Sequence, residues 1–317
     1  MTDTRQVILI TPTWAGDIDH FRVMRRSLEV SPLCHLPHYV VVQTEDLPLF
    51  EEFRGRPNLV LQSTADVLPP EVERRRVHAR HLGARLGRNL TRIAGSLARS
   101  LSWPSWPSYT GWHTQQLCKL KVVNETECDL AVVLDSDVFI TGHASIGDFI
   151  DGRGVVCLGT WEQRSELKGK VKKWVAESER LVGAESDSDT VNTYFDTPFV
   201  FDRETMCQLL AHLERTSGKP WWQALLDRPP RRWSEFGVYK AFLARQRRDS
   251  VIWRTPEFSR YLYDTSNPDE LMATVRSMIN DPEVHYITIH SHSSGRETWD
   301  ASAYLNKLLA MIETDGQ

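Results

Sequence analysis

Asp135 and Asp137 directly follow an apolar run, residues 130–134, and precede Val138, Phe139 and Ile140. In an extended chain, residues two apart face the same way, so the two carboxylates are expected to converge from positions roughly 6–7 Å apart. Mg2+ and Mn2+ prefer such oxygen ligands and leave positions open for phosphate oxygens. A bound divalent ion neutralises a diphosphate leaving group as a Lewis acid. Asp-Ser-Asp is by itself a common turn. Its flanking apolar residues change the expectation, because two like charges at the rim of a core are costly without a cation between them.

Other polar residues stand at comparable places. His290 and His292 end the apolar run 286–289 and, two apart, point the same way. A zinc site would need a further soft ligand nearby, and the sequence offers none. Gln115 and Lys119 are four apart on a helix expected over residues 111–124, so they share a face, with Gln116 between them. Glu235 follows Ser234, a plausible N-cap, in the first turn of a helix expected over residues 234–247, where the helix dipole favours a carboxylate.

These residues need a scaffold. Residues 7–10, 39–42, 58–61, 130–134, 155–158, 198–201, 251–253 and 286–289 are short apolar runs of the kind found in strands buried on both faces. Helix-length segments alternate with them over 20–30, 74–101, 111–124, 203–215, 234–247 and 299–312. That alternation predicts an α/β fold with a mainly parallel central sheet flanked by helices. In such a sheet, ligands bind beyond the carboxyl ends of the strands. Residues 162–196 are polar and charged and read as a helix followed by a mobile loop.

The bulk composition narrows the function classes. The chain has 317 residues, 41% hydrophobic and 25% charged, with a formal net charge of −4. That suits one domain over residues 1–317, with 1–140 and 141–317 as its two halves. No general nucleic-acid binder is expected from this charge balance, although arginines crowd residues 74–92 and 228–232. Such a crowd is a solvated helix face or a patch for an anionic substrate or lipid head group. Five scattered cysteines without a C-x-x-C pair read as free thiols in a reducing compartment. A polar N-terminus and the lack of an apolar stretch of about 20 residues argue against a leader or membrane span. A cytoplasmic location is therefore expected. Trp221, Trp222 and Trp233 could stack on a sugar ring, but they fit an aromatic core better.

The order of three blocks carries a family resemblance. Residues 111–120 (Gly-Trp-His-Thr-Gln-Gln-Leu-Cys-Lys-Leu), the strand and Asp135-Ser136-Asp137 form the first. Residues 198–203 (Pro-Phe-Val-Phe-Asp-Arg) form the second. Ser234-Glu235-Phe236, with Tyr239, forms the third. In this order the chain resembles the bacterial family DUF6492, whose members are read as glycosyltransferases of the GT-A fold. The resemblance implies a nucleotide-sugar donor, most often a UDP-sugar, with Mn2+ or Mg2+ held by Asp135 and Asp137, and one of His290 and His292 completing the metal shell. It implies that Thr11, Pro12, Thr13 and Asp17 after the first strand, and Gln43 and Thr44 after the second, cradle the nucleotide. Gln115, Gln116, Lys119, Asp135 and Ser136 would complete the donor site. Glu235 would be the general base for the hydroxyl of a carbohydrate or small-molecule acceptor. A homodimer is compatible with this reading. Two rival readings use the same residues. A metal-dependent nucleotidyl- or phosphotransferase would normally need a glycine-rich phosphate loop, and residues 11–16 are not one. A non-catalytic sugar-binding protein would not need Asp135, Asp137 and Glu235 intact.

Overall fold

Strand β1 (Val7–Thr13) is buried along its whole length, and its side chains alternate between two apolar clusters. Leu9 faces one, Ile8 and Ile10 the other, as the two-residue period of a strand requires. The computed structural model describes residues 5–100, 111–184, 188–229, 231–246, 249–263, 267–290 and 301–315. After β1 come α1 (Ile18–Val30), β2 (His38–Val42), β3 (Leu59–Ser63), α2 (Thr64–Val67), α3 (Pro70–Ser100) and α4 (Trp112–Glu125). Then follow β4 (Leu130–Val133), β5 (Val138–Ile140), β6 (Val155–Leu158), β7 (Trp161–Gln163), α5 (Gly169–Val182), β8 (Thr190–Asn192), β9 (Phe199–Asp202), α6 (Arg203–Ser217), α7 (Trp221–Leu226) and α8 (Glu235–Gln246). The chain continues through β10 (Val251–Arg254), β11 (Ser259–Leu262), α9 (Pro268–Ile279), β12 (Tyr286–Ile289) and α10 (Ala301–Asp315).

The central sheet has the order β3-β2-β1-β4-β9. Its first four strands are parallel, and β9 runs antiparallel to β4 along the far edge. Helix α1 lends Phe21, Met24 and Leu28 to one face, with Leu9, Val40 and Val132. Helices α4, α6 and α8 cover the other, where Leu117, Leu209 and Val238 meet Ala131 and Val133. The expected α/β architecture with a mainly parallel sheet is the one found. Smaller sheets surround it: β11-β12-β5, β10-β6 and β7-β8.

The strand order reverses between β1 and β4, because β2 and β3 lie to one side of β1 and β4 and β9 to the other. Such a reversal beside two paired parallel strands marks the carboxyl ends of β1 and β4 as the place where open α/β sheets bind ligands. Strands of the two expected halves pair with each other in two sheets, β9 with β4 in the central one and β12 with β5 in a smaller one. Trp221 and Trp233 belong to the core. Cys118, Cys128 and Cys157 are buried free thiols, whereas Cys34 is exposed. The polar stretch 162–196 holds β7, α5 and β8, and residues 185–187 within the expected loop lie outside the described residues.

Candidate active site at the carboxyl edge of the sheet

Leu134 extends the β4 ladder by donating its N–H to Ile10 O at 3.0 Å. The chain then turns. Asp135 O accepts from Val138 N–H at 3.2 Å, so Asp135-Ser136-Asp137 is a tight turn rather than extended chain. This corrects the geometric expectation above: strand alternation does not aim the two carboxylates. The turn buries Ser136 and leaves Asp135 and Asp137 half-exposed.

Lys119 is the centre of the site. Its Nζ lies 3.2 Å from Asp135 Oδ1 and 3.0 Å from Glu235 Oε1. The lysine side chain is 7% exposed and that of Glu235 4%, against 44% for Asp135. Lys119 sits 4.7 Å from the centroid of the Phe236 ring. Burial alone lowers the Lys119 pKa, but the charges and hydrogen bonds of Asp135 and Glu235 outweigh it, and the net shift is upward. The ammonium is thus fixed in its charged form. Glu235 is held from three further directions. Its backbone N–H donates to Gln116 Oε1 at 3.2 Å, its Oε2 accepts from the Ser234 hydroxyl at 3.1 Å, and its residue is the first of α8.

A second network fixes the end of β4. Thr11 donates its single hydroxyl hydrogen to Leu134 O at 2.7 Å. His38 Nε2, 2.9 Å from that hydroxyl oxygen, must then be the donor. Nδ1 is left as acceptor for the Arg25 guanidinium at 3.3 Å. Burial, with the Arg25 charge, lowers the His38 pKa to about 3, so the ring is neutral. Asp135 N–H meets Thr197 Oγ1 at 3.4 Å, from the loop before β9.

A groove of about 920 Å3 opens beyond the ends of β1 and β2. Trp14, Gln43, Asp46, Arg80, Gln115 and Lys170 are among its walls. Gln43 Oε1 accepts from Arg80 at 2.6 Å and Asp46 Oδ1 from the same guanidinium at 2.7 Å. Trp112 and Trp174 stack at 5.5 Å along the same wall. Gln115 lies one helical turn before Lys119, on the same face of α4. Polar atoms remain buried without a hydrogen-bond partner here: Thr13 Oγ1, Asp17 Oδ1 and Gln116 Nε2. The other Asp17 oxygen accepts from Trp14 Nε1 at 2.8 Å. Pro12 is buried within β1, and Thr44 hydrogen-bonds Thr64 and Glu73 instead of facing the groove walls.

Sequence reasoning passed over Asp196. Its carboxyl pKa is raised chiefly by burial, is lowered by His290 and raised again by Asp135. Lys170 and Lys240 also act on it. Asp196 and His290 thus join the neighbourhood of Asp135. Only its place two residues before the Pro198 strand could have flagged it. Asp137 O accepts from Ile289 N–H at 3.0 Å, which sets His290 beside the aspartate turn, its ring stacked on Tyr263 at 4.2 Å. His292 lies outside the described residues.

The donor chemistry fits a hard divalent ion. Mg2+ is commonly held by one or two carboxylates while substrate phosphates and water supply the rest. Among the described residues no group of three or more His, Cys, Asp and Glu is gathered tightly enough to hold an ion by protein ligands alone. An ion here would rely on Asp135, Asp137 and ligand oxygens, with His290 beside the aspartate turn as the described one of the two expected histidines.

Residues 11–296 match the family described as "Family of unknown function (DUF6492)". No curated protein matches the chain. Among solved structures, the galactosyltransferase LgtC in complex with donor and acceptor sugar analogs is similar at 13% identity, covering 96% of this chain and 95% of that one, with a TM-score of 0.47. The glycosyltransferase GlyE of Streptococcus pneumoniae TIGR4 is similar at 10% identity over 99% of this chain and 63% of its own, with a TM-score of 0.44. Mouse xyloside xylosyltransferase 1 shares 11% identity over 90% and 97%, with a TM-score of 0.43.

Proposed function

The chain belongs to DUF6492, a family of unknown function, and from that premise we propose that it is a metal-dependent glycosyltransferase acting on a nucleotide-sugar, with a UDP-sugar as the first candidate. The observation that carries this reading is the Lys119 cluster, with Asp135 and Glu235 on either side, at the carboxyl end of β4, one turn of α4 from Gln115 in the wall of a groove of about 920 Å3. Groove volume and position suit a nucleotide diphosphate. Gln43, Gln115 and Asp17 line or border the end meant for base and ribose. Asp135 and Asp137 would hold Mn2+ or Mg2+ against the diphosphate, and the ion would supply Lewis-acid stabilisation of the leaving group. Lys119, fixed as a cation, adds positive charge beside the same phosphates. The acceptor hydroxyl attacks the anomeric carbon as the bond to the diphosphate breaks, and its proton passes to a carboxylate.

Glu235 is the first choice for that carboxylate. Its burial and its hold on Lys119 favour a second role, in which it fixes Lys119 against Asp135 and the proton leaves by another group. A pH–rate profile separates the two, since loss of a base removes the low-pH limb while loss of a clamp lowers the whole profile.

Titration calorimetry with UDP, with and without Mn2+, tests the main reading. UDP affinity is expected to depend on Mn2+ and to fall in Asp137→Ala. UDP-sugar hydrolysis is expected to fall in Asp137→Ala and Glu235→Ala. Equal nucleotide affinity without metal would overturn the metal assignment. Tight sugar binding with no turnover of any donor would favour a binding protein.

A further inference from the structure

Helix α3 carries a motif that the donor site does not use. At Gly87 the backbone takes φ 76, a value that favours glycine, and the helix axis breaks there. Beyond the break, Leu90, Ile93 and Leu97 recur at spacings of three and four, which sets them along one stripe. All three stand in solvent, at 56%, 61% and 59% exposure, with Leu86 at 44% just before the break. Leucines scattered singly on a surface need no explanation, but a continuous stripe along one helix does.

The sequence around the stripe says what covers it. From Arg74 to Asn124 there is no Asp or Glu, while Arg85, Arg88, Arg92 and Arg99 punctuate the stripe. The whole chain is net negative, so this is a local basic segment. An apolar stripe on an arginine-rich helix has the composition of helices that lie in a bilayer interface. A second copy of the chain would bring arginines against arginines and offer no acid within the segment to neutralise them. Anionic head groups neutralise them and accept the apolar side chains together. Among the described residues no helix is long and apolar enough to cross a membrane, so the contact is with the surface. We infer that α3 beyond Gly87 docks on an anionic lipid bilayer.

Vesicle flotation with the full chain tests this. Binding to equimolar phosphatidylglycerol and phosphatidylcholine is expected, with little binding to phosphatidylcholine alone, and release as salt rises. The combined Leu90→Gln, Ile93→Gln and Leu97→Gln variant should lose binding by about tenfold or more. Each of Arg88→Gln and Arg92→Gln should lose about fivefold. Leu90, Ile93 and Leu97 are exposed, and unchanged melting of the variants would show that the fold persists. A wild-type chain that ignores anionic vesicles, or a glutamine variant that floats as well as wild type, overturns the proposal. So does a wild type that sizes as a dimer without lipid and becomes monomeric in the glutamine variant, because the stripe then belongs to a second copy.

Discussion

Lys119 decides the character of the site at the level of single residues. A buried ammonium between two carboxylates holds both of them in place, and removing it leaves the buried Glu235 charge uncompensated. Lys119→Met should therefore cost about 3 kcal/mol of stability, with the discount that Asp135 is 44% exposed and partly screened. Removing Glu235 as well should return much of the loss, because Lys119→Met with Glu235→Leu replaces a charged pair by apolar volume. Urea denaturation of the two single variants and the double variant gives the coupling directly. A Lys119→Met chain as stable as wild type would mean that the cluster is not an ion pair in solution.

At the level of elements, the junction of β9 and α6 holds the loop that carries Asp196 and Thr197. Asp202 ends β9 and caps α6, its Oδ1 accepting from Thr205 N–H at 2.7 Å and the Thr205 hydroxyl at 2.6 Å. Its own N–H donates to Tyr239 Oη at 2.9 Å, from α8. Asp202→Ala should cost about 1 kcal/mol through the lost cap. Tyr239→Phe should cost a similar amount, about 1 kcal/mol, through the lost hydrogen bond. Shifts in urea midpoint that fall within error for both would show that neither contact matters. These elements also show what the sequence disclosed. The strands β1, β2, β4 and β6 were legible because an apolar run with no polar interruption fits few other structures, and β12 because Thr288 alone interrupts its run. Helix α4 and the stretch 203–215 of α6 were legible from their periodicity. The short strands β7, β8 and β11 were not, since three or four residues carry too little pattern. The turn at Asp135–Asp137 was misread because a strand-end sequence gives no sign of when pairing stops. The burial of Lys119 was invisible for another reason. Glu235, its partner, lies 116 residues away, and no local pattern encodes such a meeting. Asp196 was missed on the same ground.

The whole molecule should be sensitive to acid, for a reason that does not involve the site's carboxylates. His38 and His113 are buried and neutral, and desolvation, with the nearby charges of Arg25 and Arg231, lowers each pKa to about 3. His113 Nε2 accepts from Arg231 N–H at 3.1 Å, a bond that requires the unprotonated ring nitrogen. In the unfolded chain a histidine titrates near 6.5. Above that pH neither state binds the proton and the two histidines leave stability unchanged. Below it the unfolded chain gains protons that the folded chain refuses, so stability falls as pH drops, down to about 3. By pH 5 each histidine accounts for about 2 kcal/mol of loss. Urea midpoints measured from pH 7.5 to pH 5 should decline steeply. His113→Gln, which retains a hydrogen-bond acceptor without a proton site in this range, should decline about half as steeply as wild type. A flat wild-type profile over that window would mean that these imidazoles are hydrated and protonatable in the folded protein, and the buried chain from Arg25 through His38 and Thr11 to Leu134 would then not hold the end of β4.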